Sequence, residues 1–165
     1  MIWVLGCRGM LGSQLCELFQ KNKISYTGTG SEVDVTDFSE LENFADKLES
    51  TSSSKIDFIV NCSAYTAVDK AEDEKESAQK INSAGPFNLA RIAEKKGAAI
   101  IHISTDYVFD GNAIQPILEN EKKSPASVYG KTKASGEDNI ISSTQRYYIL
   151  RTAWLYGFYG KNFVY

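Results

Sequence analysis

Short apolar runs alternate along the chain with longer stretches in which apolar residues recur every three or four positions. The first run, IWVL (Ile2 to Leu5), passes through a glycine turn into a helical stretch from Met10 to about Lys21. ISYTG predicts a weaker second strand. DFSELENFADKLES then places Leu41, Phe44, Ala45 and Leu48 on one helix face, with Asp37 and Glu40 in a capping arrangement. DFIVNCS is a β-branched run suited to a central parallel strand. From about Glu72 to Lys96 the pattern is helical and ends in KKG, with Pro86 marking a kink or restart. AAIIHIS is the next strand, Ser127 to about Ile141 the next helix, and YYILRTA the last strand. DGNAIQPILENEKKSPA between them has the chemistry of a surface loop.

Strand and helix alternating five times predict an α/β fold, a doubly wound, Rossmann-like parallel sheet with helices on both faces. In that architecture ligands lie outside the carboxyl ends of the strands, at the point where strand order reverses. The residues that follow each apolar run therefore become the candidates for chemistry.

Composition narrows the function. At 165 residues, 42% hydrophobic and 24% charged, the chain is expected to be one globular domain. A net charge of −3 with no basic stripe argues against nucleic acid as a partner. No stretch approaches the length of a membrane span, so no membrane association is expected. Cys7, Cys16 and Cys62 form no C-x-x-C, and an odd count makes a poor disulfide framework, which points to the reducing cytoplasm. His102 is the single histidine, so multi-histidine metal sites are excluded and another group must carry any proton.

The turn after the first strand, GCRGMLG, spaces Gly6, Gly9 and Gly12 as G-x-x-G-x-x-G and opens an amphipathic helix. Such a turn brings a helix N-terminus against a pyrophosphate, the arrangement of a dinucleotide site. Arg8 lies within it, and the second strand ends in TGTG without an immediate acid to repel a 2′-phosphate. NADPH is admissible on this pattern and NADH is not excluded, because Asp34 follows a little later.

Two further loops, AYTAVDKAE after the third strand and TDYVFDG after the fourth, would open on the same crevice. In SVYGKTKASGE, Tyr129 and Lys133 lie four residues apart, one above the other on a helix. An ammonium there would favour the phenolate and tune the phenol toward neutral pH. Nine tyrosines and fourteen lysines give about 0.8 such spacings by chance, so the pair gains weight only from its neighbours. With the hydroxyl of Thr105, one phenol and one ammonium could surround a single carbonyl.

That trio is similar to the one used by short-chain dehydrogenase/reductases. The blocks GCRGMLG, NCSAYTAVDKAE, HISTDYVFDG, YGKTKASGE and LRTAWLYG, followed by GKNFV, resemble the dTDP-4-dehydrorhamnose reductase family from Ile2 to Val164. The resemblance implies NAD(P)H-dependent reduction of the 4-keto group of a dTDP-sugar, with Tyr129 as proton donor. Lys133 would lower the tyrosine pKa and hold the nicotinamide ribose, and Thr105 would hydrogen-bond the substrate oxygen. It also implies cofactor contacts from Gly6, Gly9, Met10, Leu11, Gly12, Asp34, Val35, Ala64, Tyr65 and Thr66. Asp106 and Trp154 would face the sugar nucleotide.

Gln14 stands where some family members have an acidic metal ligand, so no metal site is carried over. The sequence stops at GKNFVY where the family continues into a second half, so residues 1–165 are expected to be an NAD(P)-binding domain whose substrate lobe is incomplete. A homodimer is admissible. A nucleotide-sugar epimerase or dehydratase, or a cofactor-binding regulatory subunit without turnover, are the competing readings.

Overall fold

In the computed structural model, which describes residues 1–160, 162 and 164, five strands form one parallel sheet. Lys161 and Phe163 of the GKNFV stretch lie outside the described residues. The strands are β1 (Ile2–Leu5), β2 (Tyr26–Thr29), β3 (Phe58–Asn61), β4 (Ala99–Thr105) and β5 (Tyr147–Thr152), in the spatial order β2-β1-β3-β4-β5. β1 is flanked by β2 and β3, in register Leu5 with Thr29 and Leu5 with Asn61. The strand order therefore reverses at β1, and a crevice opens between the carboxyl ends of β1 and β3.

The helices are α1 (Met10–Lys21), α2 (Phe38–Ser52), α3 (Lys75–Gln79), α4 (Gly85–Lys96) and α5 (Val128–Ser143). Alternation along the strands sends Trp3, Leu5, Ile59 and Ile100 to one face, where they form a core with Leu41 and Ala45 of α2, Leu89 and Ile92 of α4 and Ile140 of α5. Trp3 stacks on Phe44 at 5.1 Å between ring centres and gives its indole N–H to Thr29 Oγ1 at 3.0 Å. The indole is thus buried without leaving its donor unpaired. α1 takes no part in that core and packs against β1 and β2, while α3 packs against α5.

The capping expectation for α2 holds, since Asp37 Oδ1 accepts the Glu40 amide at 3.0 Å. Glu40 reaches the Asp34 amide instead of the cap residue itself. The helical stretch expected from Glu72 to Lys96 is divided: a 3₁₀ turn (Lys70–Glu72), then α3, a π turn (Lys80–Ala84) and α4 in unbroken succession. Pro86, in the first turn of α4, marks the point where the π turn passes back into α-helix, and has no N–H to give to the turn before it. Apolar spacing registers the rod but not the extra residue accommodated by a π turn.

Candidate active site

The glycine turn is shaped by contact with the end of β3. Gly6 takes φ +73°, and a Cβ on it would lie 2.8 Å from the Ser63 amide nitrogen. A Cβ on Gly12 would lie 2.1 Å from the Gly6 carbonyl oxygen, so neither position accepts a side chain without moving the backbone. Gly9 is the N-cap of α1 and contributes no side-chain cap. Met10 and Leu11 then occupy the first turn, whose N–H groups have no intrahelical acceptor and face an anion with the positive end of the helix dipole. Together these features have the shape and polarity that suit an anion such as a pyrophosphate.

Arg8, inside this turn, pairs with Glu32 at 3.0 Å. Glu32 also accepts the Gly30 amide at 2.7 Å, and that hydrogen bond is the first cause holding its carboxyl below the ordinary range. An acid thus stands just beyond β2 after all; the sequence reading passed over it because it lies past the TGTG segment. Asp34 and Val35 lie on the turn before α2. There Asp34 Oδ1 accepts the Thr36 amide, and Asn88 of α4 donates to the Val35 and Thr36 carbonyls.

Ala64, Tyr65 and Thr66 form the loop after β3. Asn82, buried in the π turn, clamps it: its Oδ1 accepts the Tyr65 amide at 2.8 Å and its Nδ2 donates to the Tyr65 carbonyl at 3.0 Å. The same amide nitrogen lies 3.3 Å from Thr132 Oγ1, tying loop, π turn and α5 together. Asn82 carried no sequence signal, since an asparagine within a helical run announces no partner.

At the carboxyl end of β4, Thr105 caps a 3₁₀ turn (Asp106–Val108) by accepting the Tyr107 amide at 3.2 Å. α5 begins opposite, with Ser127 accepting the Gly130 amide. A Cβ on Gly130 would lie 2.2 Å from the Tyr107 carbonyl oxygen. This glycine lets α5 approach the turn, so that the Tyr107 and Tyr129 rings meet edge to face at 5.6 Å. The Thr105 hydroxyl donates to Asp106 Oδ1 at 3.2 Å and stands near enough to the Tyr129 phenol to act against the rise in its pKa.

The expected tuning of Tyr129 toward neutral pH is not what the structure shows. Burial raises the phenol pKa above its ordinary value; the Thr105 hydrogen bond opposes the rise, and Asp106 and Tyr107 add to it. Lys133 does not contribute, because its amine points elsewhere. Lys133 Nζ donates to the Ile103 carbonyl at 2.6 Å and lies 3.3 Å from His102 Nε2. Burial, only partly offset by Glu137 and Cys62, brings its pKa down to about 8. His102 is pushed well below its ordinary value, by burial first and then by the charge of Lys133.

Beneath the site, fully buried Glu137 accepts Arg151 Nε and Nη2 at 3.0 and 2.8 Å, and the Ser104 hydroxyl at 2.5 Å. Burial pushes the carboxyl up, but the Arg151 and Ser104 hydrogen bonds and the charges of Arg151 and Lys123 prevail, and the pKa is lowered. Trp154 is 77% exposed with φ +53°, so it is not a core aromatic. Asp106 is exposed beside Thr105. The structure thus brings Thr105, Tyr129 and buried Lys133 to the carboxyl end of β4. Glu32, Asn82, Asn61 and His102 join from outside the sequence-predicted set.

The family profile described as the RmlD substrate binding domain matches residues 1–165. The chain belongs to that family. Within it, a dTDP-4-dehydrorhamnose reductase of Streptomyces griseus is 38% identical over 163 residues, covering 98% of this chain and 52% of the relative. The crystal structure of a dTDP-4-dehydrorhamnose reductase from Clostridium acetobutylicum superposes with a TM-score of 0.91 at 41% identity, over 99% of this chain and 56% of that one. The Bacillus anthracis dTDP-4-dehydrorhamnose reductase in complex with NADP superposes with a TM-score of 0.92 at 34% identity, over the same shares of 99% and 56%. The chain spans about half the length of these RmlD-family relatives.

Proposed function

We propose that this chain supplies the cofactor half of an NAD(P)H-dependent reductase acting on the 4-keto group of dTDP-4-dehydro-L-rhamnose and giving dTDP-L-rhamnose. The observation that carries the reading is the meeting of Thr105 and Tyr129 at the carboxyl end of β4, with Lys133 one helical turn on. The relatives' names supply the substrate class.

The residues present fit a dinucleotide. Gly6, Gly9 and Gly12 let the turn fold tightly on itself and against the end of β3, so that the Met10 and Leu11 amides of the first turn would be offered to a pyrophosphate. Arg8, paired with Glu32, would face the adenosine end, and Asp34, Val35, Ala64, Tyr65 and Thr66 would contact the cofactor. When bound, a reduced nicotinamide supplies hydride. The protein supplies the proton and the field. Tyr129, with its pKa raised by burial, is a phenol at neutral pH and holds the proton that the developing alkoxide takes. The Thr105 hydroxyl orients the carbonyl and stabilises its oxygen as charge develops. Lys133, protonated below about pH 8, would stabilise the phenolate left behind and hold the ribose hydroxyls. Asp106 and Trp154 would face the sugar nucleotide.

No helix among the described residues is long and apolar enough to cross a membrane. We place the activity in the cytoplasm, where the three cysteines, free in this structure, remain reduced.

The test begins with titration of the 165-residue chain with NADPH and NADH, followed by nicotinamide fluorescence. Saturable binding is expected, and its loss in Gly12→Val would locate it at the turn; failure to bind either dinucleotide would overturn the assignment. In an intact reductase carrying this segment, Tyr129→Phe should keep cofactor affinity and lower turnover by roughly 10²- to 10⁴-fold. Unchanged turnover would remove Tyr129 from the role of proton donor.

A further inference from the structure

Behind Lys133 lie two buried polar side chains, Asn61 and His102, that no step of the proposed reaction uses. Asn61 ends β3 and His102 lies in β4, directly across from it in the sheet register, and both are fully buried. Asn61 Oδ1 accepts two hydrogen bonds, from the Ser63 amide at 3.0 Å and the Ser63 hydroxyl at 2.6 Å. This fixes the carboxamide, so Nδ2 is the atom that faces His102 Nδ1 at 3.1 Å. An amide NH₂ can only donate, and His102 Nδ1 must therefore accept. A neutral imidazole with an accepting Nδ1 carries its proton on Nε2.

That N–H points at Lys133 Nζ, 3.3 Å away. A neutral amine can accept it with its lone pair while donating to the Ile103 carbonyl, a bond of 2.6 Å. An ammonium has no lone pair, so the same contact sets N–H against N–H. We propose that Asn61 and His102 form a seat that holds the Lys133 amine when neutral and releases it toward Tyr129 when protonated, making His102 a positioning residue. The inference rests on the reading of Lys133 as part of the reductase site. The proton balance is simple: the lone pair that accepted the imidazole N–H takes one proton from solvent, and the imidazole keeps its own.

The other titratable groups around the amine do not replace this seat. Cys62, at the end of β3, is pushed up to about 12, by burial first, and stays a thiol, with Cys16 of α1 beside it. Glu137, one turn along α5, is held by Arg151, Ser104 and Lys123, and Tyr129, one turn back, is a phenol.

Because His102 is the single histidine, ring-¹⁵N labelling of histidine reads the seat directly in the 165-residue chain. The expected spectrum is a neutral Nε2–H tautomer with no imidazole titration near its usual value of about 6.5. Both ring shifts should step near pH 8, as the amine loses its proton. The step should vanish in Lys133→Met and equally in Lys133→Arg, which retains a cation should the methionine variant fold poorly. An Nδ1–H tautomer, an ordinary imidazole titration, or a step that survives both substitutions would overturn the proposal. Dinucleotide titration of the same samples separates the two claims. Binding with the wrong tautomer sinks the seat alone, whereas an intact seat without binding sinks the reductase reading.

Discussion

Lys133 is 2% exposed, and burying it has a cost that depends on pH. Its pKa falls from 10.5 to about 8 on folding, so between those values the unfolded chain holds the proton that the folded one has lost. Stability from this group therefore rises with pH across that window; below it the penalty is fully present, and above it the penalty is gone. Relative to Lys133→Met, the native protein should gain about 3 kcal/mol between pH 8 and 10.5, read as the difference of two urea denaturation series. A constant difference would mean that the amine is solvated. Glu137 has the same sign of pH dependence in a more acidic window: its lowered pKa stabilises the fold above the ordinary carboxylate range and loses that contribution as pH falls through the folded value. Glu137→Gln leaves Arg151 facing a neutral partner and should cost roughly 3–5 kcal/mol, with part regained in the double variant with Arg151→Met. At the cofactor end, Arg8→Ala should weaken NADPH binding roughly tenfold more than NADH binding. Equal losses would show that Arg8 serves only its pairing with Glu32. Tyr129, Lys133 and Thr105 can be singled out in the sequence by side-chain type, spacing and their place after apolar runs, with their weight as a trio coming from the family resemblance; the direction of the Lys133 amine, away from Tyr129, is not legible there. Nor are Asn61 and His102, because they meet only through the register of two strands, which no local pattern encodes.

The elements were more legible than their joints. Four of the five strands emerge from apolar runs and β2 from the weaker ISYTG, and the cap of α2 emerges from Asp37 and Glu40. The π turn stayed hidden because residues three and four apart still alternate plausibly through it. Asn82 sits in that turn and bonds both backbone groups of Tyr65, so its removal should loosen the crevice loop more than the fold. Asn82→Ala is expected to raise amide exchange at Tyr65 and its neighbours while the β-sheet amides keep their protection; uniform loss of protection would make Asn82 a determinant of global stability instead. Gly130 belongs to the same scale. Its hydrogen is what lets α5 meet the Tyr107 carbonyl, and Gly130→Ala should push Tyr129 away from Thr105 before it disturbs the far end of the helix.

Across the whole molecule, the alternation of strand and helix is what let the fold class be read before any coordinate, and once the strand order is known the right-handed crossovers between parallel strands fix the side on which each connecting helix packs. The placement of β1 between β2 and β3 has a consequence for how the chain comes to be. Of the five strands, the first to be translated needs partners on both edges, and its second partner begins only at Phe58. β4 and β5 then add outward in the order of translation. With no hairpin to nucleate it, the sheet grows by successive long-range closures, and the crevice under the glycine turn is completed only once the end of β3 has docked beside Gly6.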